Sequence, residues 1–200
     1  KLNPFLTVQL QNYKRNEGEA IEPLIERLDE VLANDPGLLT RLEALKNKSR
    51  FLYSLGKYQQ AADAIIQALE ISPNDRELNN NLAYIYVEHL QDYAKGVQYA
   101  EKALARDARS STTLDTLGWA YMHDGRINEA RRRLQQAIEF ARTESERLPA
   151  YLHLGHLEFR QGNTGEARRH YETALNIAEG SRSLAEQYEE KLEDLRTSIQ

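Results

Sequence analysis

The sequence predicts an all-α fold built from repeated antiparallel helix pairs. The chain has 200 residues, of which 40% are hydrophobic and 28% are charged, with 10 glycines and 5 prolines. It is rich in Ala, Leu, Glu, Gln and Arg, which favour helices, and its overall composition is that of an ordinary globular protein. A nine-residue pattern also recurs along the chain, and such internal repetition is typical of repeat proteins.

The recurring pattern occupies residues 53–61, 122–130 and 159–167. Each copy has glycine at its fourth position and alanine at its ninth, followed by a large residue and a second alanine at helical spacing. Small residues let two helices approach closely, and large residues fill the space beside them. Glycine adopts the left-handed conformation that ends a helix at little cost, so each copy predicts a helix, a turn and a second helix.

These residues resemble the tetratricopeptide repeat, a helix-turn-helix unit of about 34 residues. Leu117-Gly118, Leu154-Gly155 and Leu82-Ala83 match its first helix. The resemblance implies a right-handed α-solenoid, the tetratricopeptide superhelix, of the kind common in bacterial chains. We predict four units, at residues 42–75, 76–110, 111–147 and 148–181.

Each predicted unit departs from the family pattern, and the second does so at Gly96, where alanine is usual, as well as in its turn. The first has Lys48-Ser49 instead of Leu-Gly, and the second has one extra residue in its turn, within 89–93. The third adds two or three residues within 141–147, which predicts a long second helix. The fourth has Glu158 where tyrosine is common.

The two ends of the chain predict further helices. Residues 182–200 place apolar side chains on one helical face, which predicts a capping helix that closes the solenoid. Residues 1–41 predict a degenerate helix pair, in which Pro23 is compatible only with the first turn of its helix. The chain begins with Lys1 rather than Met, so we expect it to be a piece of a longer protein.

In the resembled family, the first helix of each pair lines a concave groove. Carried over one position at a time, the resemblance assigns to this groove a set of polar, aromatic and thioether side chains. They are Lys46, Arg50, Tyr53, Asn80, Asn81, Tyr84, Asp115, Trp119, Met122, His123, His153, His156 and Phe159. Aromatic side chains often dominate binding energy, although Trp119 and Tyr84 are also compatible with plain core packing.

Several other functions are disfavoured by the sequence. The formal charge of -5 gives no strong net field that would point to nucleic acid, and no apolar run is long enough to span a membrane. The chain contains no cysteine and no phosphate-binding glycine loop or nucleophile paired with a base. We therefore predict no enzyme activity and no cofactor. His153 and His156 have a spacing that a metal can use, but no carboxylate is evident beside them, so no metal site is predicted.

The predicted function is a scaffold that binds a protein or peptide partner in the groove. Lys46, Arg50 and Asn81 partly suit a clamp for a C-terminal carboxylate. The third unit, however, supplies Thr112 and Thr116 instead of basic residues, so a chaperone-tail clamp is not predicted. Two alternatives remain, a module that self-associates as a homodimer through residues 182–200 and a regulatory domain of a larger protein. The compartment also stays open between the cytoplasm and the bacterial periplasm or envelope.

Overall fold

A computed structural model describes residues 21–34 and 36–199. Within these residues the chain is all-α, with ten helices and no strand. The helices are α1 (Glu22–Ala33), α2 (Leu38–Ser54), α3 (Tyr58–Ile71), α4 (Arg76–Glu88), α5 (Tyr93–Leu104), α6 (Ser111–His123), α7 (Ile127–Phe140), α8 (Glu144–Arg160), α9 (Thr164–Glu179) and α10 (Arg182–Ser198).

Helices α2 to α9 form four antiparallel pairs joined by short turns. Gly56, Gly125 and Gly162 have φ values of 71°, 81° and 77°, which confirms that glycine ends three of the first helices. The α4–α5 turn contains the predicted extra residue, and there Gln91 takes the left-handed conformation with φ of 54°.

The starts of several helices are fixed by side-chain caps. Asp75 accepts a hydrogen bond from the Leu78 amide, Ser110 from the Thr113 amide and Thr143 from the Glu146 amide. Each cap satisfies a backbone donor that the helix itself leaves free. These three caps begin α4, α6 and α8, the first helices of three successive pairs.

The core consists of several apolar clusters that follow one another along the solenoid. Ala61, Ala130 and Ala167 are fully buried at the helix contacts, as the small-residue pattern predicts. First helices α4, α6 and α8 also contact each other in sequence, whereas successive second helices make no comparable contacts. The solenoid therefore curves with its first helices on the inner, concave side.

The extra residues of the third unit lie where the sequence analysis did not place them. The prediction of a long second helix is wrong, because α7 ends at Phe140 and has the same length as α3. Residues 141–143 leave the helix, and α8 begins early at Glu144. Thr143 caps this start, so the added length belongs to the first helix of the next pair.

The predicted terminal elements are seen in part. Helix α1 begins at Glu22 with Pro23 in its first turn, while residues 1–20 lie outside the described residues. Helix α10 buries Leu192 and Leu195 against the last pair, and Ile199, which follows the helix, is buried there too. The division of the chain into units at the residues given above stays a prediction.

Candidate functional site

Two cavities open on the concave side of the solenoid. The upper cavity lies between α2 and α4 and has a volume of about 280 Å³. The lower cavity lies between α6, α8 and α10, beside the end of α4, and has a volume of about 330 Å³. Each is large enough for one or two side chains of a bound segment.

The upper cavity combines an apolar floor with a polar rim. Its lining residues are Lys46, Ser49, Arg50, Tyr53, Ile65, Glu77, Leu78, Asn81, Tyr84 and Ile85. Ile65, Leu78 and Ile85 are buried and belong to the core, so they form the floor. Arg50 and Asn81 are exposed, so their polar groups stand at the rim.

The two cations at the rim of the upper cavity, Lys46 and Arg50, differ in whether they form an ion pair. Lys46 donates to the Asp75 carboxylate at 2.6 Å, and this bond contributes to keeping the pKa of Asp75 below its usual value although burial alone would raise it. Arg50 meets only the Asn47 side-chain oxygen, at 3.5 Å, and makes no ion pair within the part of the chain that the structure describes. Arg50 is therefore the cation at this rim that remains available to a carboxylate.

A cluster of aromatic rings lies beside the upper cavity. Tyr58 and His89 stack with their centroids 3.6 Å apart, and the Tyr53 hydroxyl is hydrogen-bonded to Nε2 of His89 at 3.1 Å. The Tyr84 ring lies 6.4 Å from that of Tyr53. Burial raises the pKa of both Tyr53 and Tyr84, so both phenols stay protonated and able to donate hydrogen bonds.

The lower cavity is dominated by Trp119 and three histidines. It is lined by Glu88, Trp119, Met122, His123, Leu152, His153, His156, Arg160, Lys191 and Asp194. The Trp119 ring stacks on His153 with centroids 4.2 Å apart and meets His123 edge-on at 4.6 Å. The indole Nε1 of Trp119 is buried and has no hydrogen-bond partner among the described residues.

In the lower cavity, one carboxylate orients His153, and burial lowers the pKa of the other two histidines. His153 Nδ1 donates to Oδ1 of Asp115 at 2.8 Å, which orients the ring. Burial lowers the pKa of His156 to about 4 and lowers that of His123. His156 and His123 are therefore neutral near pH 7 and form an uncharged part of the cavity wall.

An ion pair crosses the groove above this wall. Lys191 of α10 donates to Oε1 of Glu88 in α4 at 2.5 Å, and its ammonium lies 5.8 Å from the centroid of the Tyr84 ring. Asp194, one turn further along α10, approaches His156 at 3.8 Å. Helix α10 therefore forms one side of the lower cavity.

The described residues contain no group of three or more His, Cys, Asp or Glu side chains arranged to hold a metal ion. His153 already uses Nδ1 for Asp115.

Among residues 21–34 and 36–199, no helix has the length and apolar character needed to cross a membrane.

Comparison with known families decides the identity of the repeats. Three family models described as tetratricopeptide repeat match residues 47–111, 111–145 and 148–181. The chain belongs to the tetratricopeptide repeat family. The predicted resemblance and the all-α superhelical fold class are thus confirmed.

This tetratricopeptide repeat chain is similar in sequence to a bacterial pilus protein. It is 26% identical over 130 residues to the type IV pilus assembly protein PilF of Pseudomonas aeruginosa. That match covers 65% of this chain and 51% of PilF, so the chain spans about half the length of this curated relative.

The structural similarity supports the fold. MamA (residues 41 to the end) from Desulfovibrio magneticus RS-1 has a TM-score of 0.72 and 19% identity, covering 89% of this chain and 96% of that one. A tetratricopeptide repeat protein from Parabacteroides merdae has a TM-score of 0.73 and 18% identity, covering 98% and 73%. At these identities the likeness shows the fold alone.

Most of the predicted groove residues line one of the two cavities of the tetratricopeptide repeat array. Those in the upper cavity are Lys46, Arg50, Tyr53, Asn81 and Tyr84. Those in the lower cavity are Trp119, Met122, His123, His153 and His156. Asn80, Asp115 and Phe159 line neither cavity.

Three of the predicted residues have a different environment from the one expected of a free groove surface. Asp115 is buried and bound to His153, and the side-chain oxygen of Asn80 is buried without a hydrogen-bond partner among the described residues. Phe159 is 38% exposed, outside both cavities.

Glu88 and Lys191 were missed by the sequence analysis. Glu88 follows Asn81 and Tyr84 at helical spacing, so the inner stripe of α4 extends to it. Lys191 is the one lysine of a strongly acidic helical segment. The spacing of Glu88 and the isolated lysine could have drawn attention to these residues, but neither pattern shows that the two side chains are in contact.

Proposed function

We propose that this chain is a non-catalytic scaffold whose concave groove holds a segment of a partner protein. Membership of the tetratricopeptide repeat family supports a role in protein interaction in general. The observation that carries the finer proposal is the upper cavity, which combines an open apolar floor with Arg50, a rim cation that makes no ion pair with the described residues.

The chemistry of the upper cavity suits an extended peptide segment. An apolar side chain of the partner would be removed from water on Ile65, Leu78 and Ile85. The exposed Asn81 amide both donates and accepts, so it matches a peptide backbone. Arg50 would pair with a carboxylate on the same segment.

The PilF relative suggests where such a partner is to be sought. PilF is described as a type IV pilus assembly protein. By analogy, we propose a component of a bacterial envelope assembly as the partner. This analogy concerns the class of partner only, because the chain spans about half of PilF.

Site-specific photo-cross-linking tests the proposal. A photoreactive benzoylphenylalanine replaces Asn81 in the upper cavity, and in a second protein it replaces Arg169, which is exposed on α9. In extract of the source organism, position 81 is expected to give a discrete adduct that excess wild-type chain suppresses. Identical adducts from both positions, or none from position 81, would contradict groove binding.

A further inference from the structure

The contact between Glu88 and Lys191 joins parts of the solenoid that are not neighbours. In a repeat array each unit normally contacts only the next one. Glu88 ends α4 and Lys191 lies in α10, 103 residues later, so the contact bypasses α6 and α8. It brings an ammonium group into the concave groove.

Glu88 is a carboxylate that depends on a cation. Only 17% of its side chain is exposed, against 41% for Lys191. Burial alone would raise the pKa of Glu88, but the charge and hydrogen bond of Lys191 hold it below its usual value. A half-buried carboxylate without a cation is unfavourable, so Glu88 retains a strong preference for an ammonium or guanidinium group.

The surroundings of Glu88 suit a cation. The Tyr84 ring lies 5.8 Å from the Lys191 ammonium, and Trp119 lines the same lower cavity as Glu88. A carboxylate beside aromatic rings is the combination that binds ammonium groups in proteins. The Lys191 ammonium therefore lies beside both the Glu88 carboxylate and the Tyr84 ring.

Lys191 can leave this site while α10 stays in place. Helix α10 is anchored by Leu192, Leu195 and Ile199, which are buried against the last pair. A methyl group at Gly155 would lie 2.6 Å from Cδ2 of Leu195, which shows how closely α8 and α10 approach. The lysine side chain is flexible and half-exposed, so a change of rotamer alone frees Glu88.

We propose that Glu88, Tyr84 and Trp119 form a recognition site for a basic side chain of the partner, and that Lys191 fills this site in the free chain. The inference rests on the proposed function, and it names one feature of the partner segment. That segment carries a lysine or arginine that replaces Lys191 on Glu88 and enters the lower cavity.

Short peptides and the full chain test this site. The variant Lys191→Gln empties it, and the probes are acetyl-Gly-Lys-Gly-amide and acetyl-Gly-Met-Gly-amide. Trp119 is the only tryptophan, so its single indole N–H resonance reports on the lower cavity. The concentration of lysine peptide that half-saturates Lys191→Gln is expected to be about tenfold lower than the concentration that half-saturates the wild-type protein.

The expected pattern has three further parts. The methionine peptide is expected to leave the indole resonance of every variant unchanged. The double variant Glu88→Gln/Lys191→Gln is expected to lose the response to the lysine peptide. Arg196→Gln, which removes an exposed α10 cation paired with Glu193, behaves as wild type. Thermal unfolding midpoints and helicity establish that each variant is folded.

Two results would overturn the site. One is that folded Lys191→Gln responds equally to both peptides or to neither. The other is that the lysine response survives in the double variant. Cross-linking from Asn81 does not use Glu88, so failure here leaves the groove proposal standing. Absence of the Asn81 adducts with lysine binding intact would contradict the groove proposal and leave the lysine site itself standing.

Discussion

At the scale of single residues, Gly118 sets one of the close contacts between helices. A methyl group at Gly118 would lie 2.7 Å from Cγ of Leu134, 2.8 Å from its Cδ2 and 3.2 Å from the Ala130 carbonyl oxygen. Leu134 is fully buried and cannot move aside freely. The spacing of α6 and α7 therefore depends on the absence of a side chain at residue 118.

Gly118→Ala tests this packing. Alanine is the better helix former, but the clash with Leu134 is expected to lower the free energy of unfolding by about 1–3 kcal/mol. Gly165→Ala is the matched control, because no atom lies within 4 Å of a methyl group there. It is expected to stabilise α9 by about 0.5 kcal/mol in urea unfolding. A neutral Gly118→Ala would show that the helix contact is looser than described.

His156 makes the stability of the fold depend on pH. Burial lowers its pKa to about 4, below the unfolded value of about 6.5, so the unfolded chain binds the proton more tightly. The stability that this group contributes is complete above the unfolded pKa. It falls as the pH drops towards the folded pKa.

Between pH 7.5 and pH 4.5, His156 is expected to account for a loss of about 2–3 kcal/mol. Urea unfolding of wild type and His156→Gln at both pH values isolates the contribution of His156 to the free energy of unfolding. The carboxylates and the other histidines titrate in both proteins, so their effect cancels in the comparison. The difference between the two proteins should be smaller or reversed at pH 4.5. An equal loss of stability in both would show that His156 is not buried as a neutral ring.

At the scale of elements, the turns within pairs show how one residue changes a repeat. Gln91 in the α4–α5 turn has φ of 54°, where the other turns with positive φ have glycine. A side chain is strained in this conformation by about 1 kcal/mol. The longer turn is thus tolerated at a cost.

Exchanging the residue types in two turns measures that cost. Gln91→Gly is expected to raise the free energy of unfolding by about 0.5–1 kcal/mol, and Gly125→Ala, at φ of 81°, to lower it by about 1 kcal/mol. Thermal or urea unfolding of both variants provides the comparison. Destabilisation by Gln91→Gly would mean that the glutamine side chain has a role beyond the turn.

The elements were predictable from local spacing, with one instructive failure. The glycine turns and alanine contacts follow from patterns within a single unit, so the sequence located the helix pairs. The extra residues at 141–147 were detected but assigned to α7. The sequence from Thr143 to Glu146 is a capping-box signature, and there the Glu146 amide donates to Thr143 while the Arg142 amide donates to the Glu146 carboxylate. This local signal outweighs continuation of α7.

At the scale of the whole molecule, the groove depends on how the units add up. The family pattern places Tyr84 and Trp119 on inner faces. It does not say that Asp115 is buried beside His153, or that Phe159 lies outside both cavities. Small rotations between units accumulate along a solenoid. Contacts such as Glu88 with Lys191 depend on that sum and appear in no short stretch of sequence.

The affinity of the groove for its partner tests directly whether the partner binds in the concave groove. The segment cross-linked at position 81 is synthesised and titrated by calorimetry into wild type, Arg50→Ala/Asn81→Ala and the control Asn128→Ala/Arg169→Ala, whose residues are exposed on α7 and α9. We predict that the groove variant loses about tenfold or more in affinity while the control equals wild type. Equal affinities for all three folded proteins would contradict binding in the concave groove.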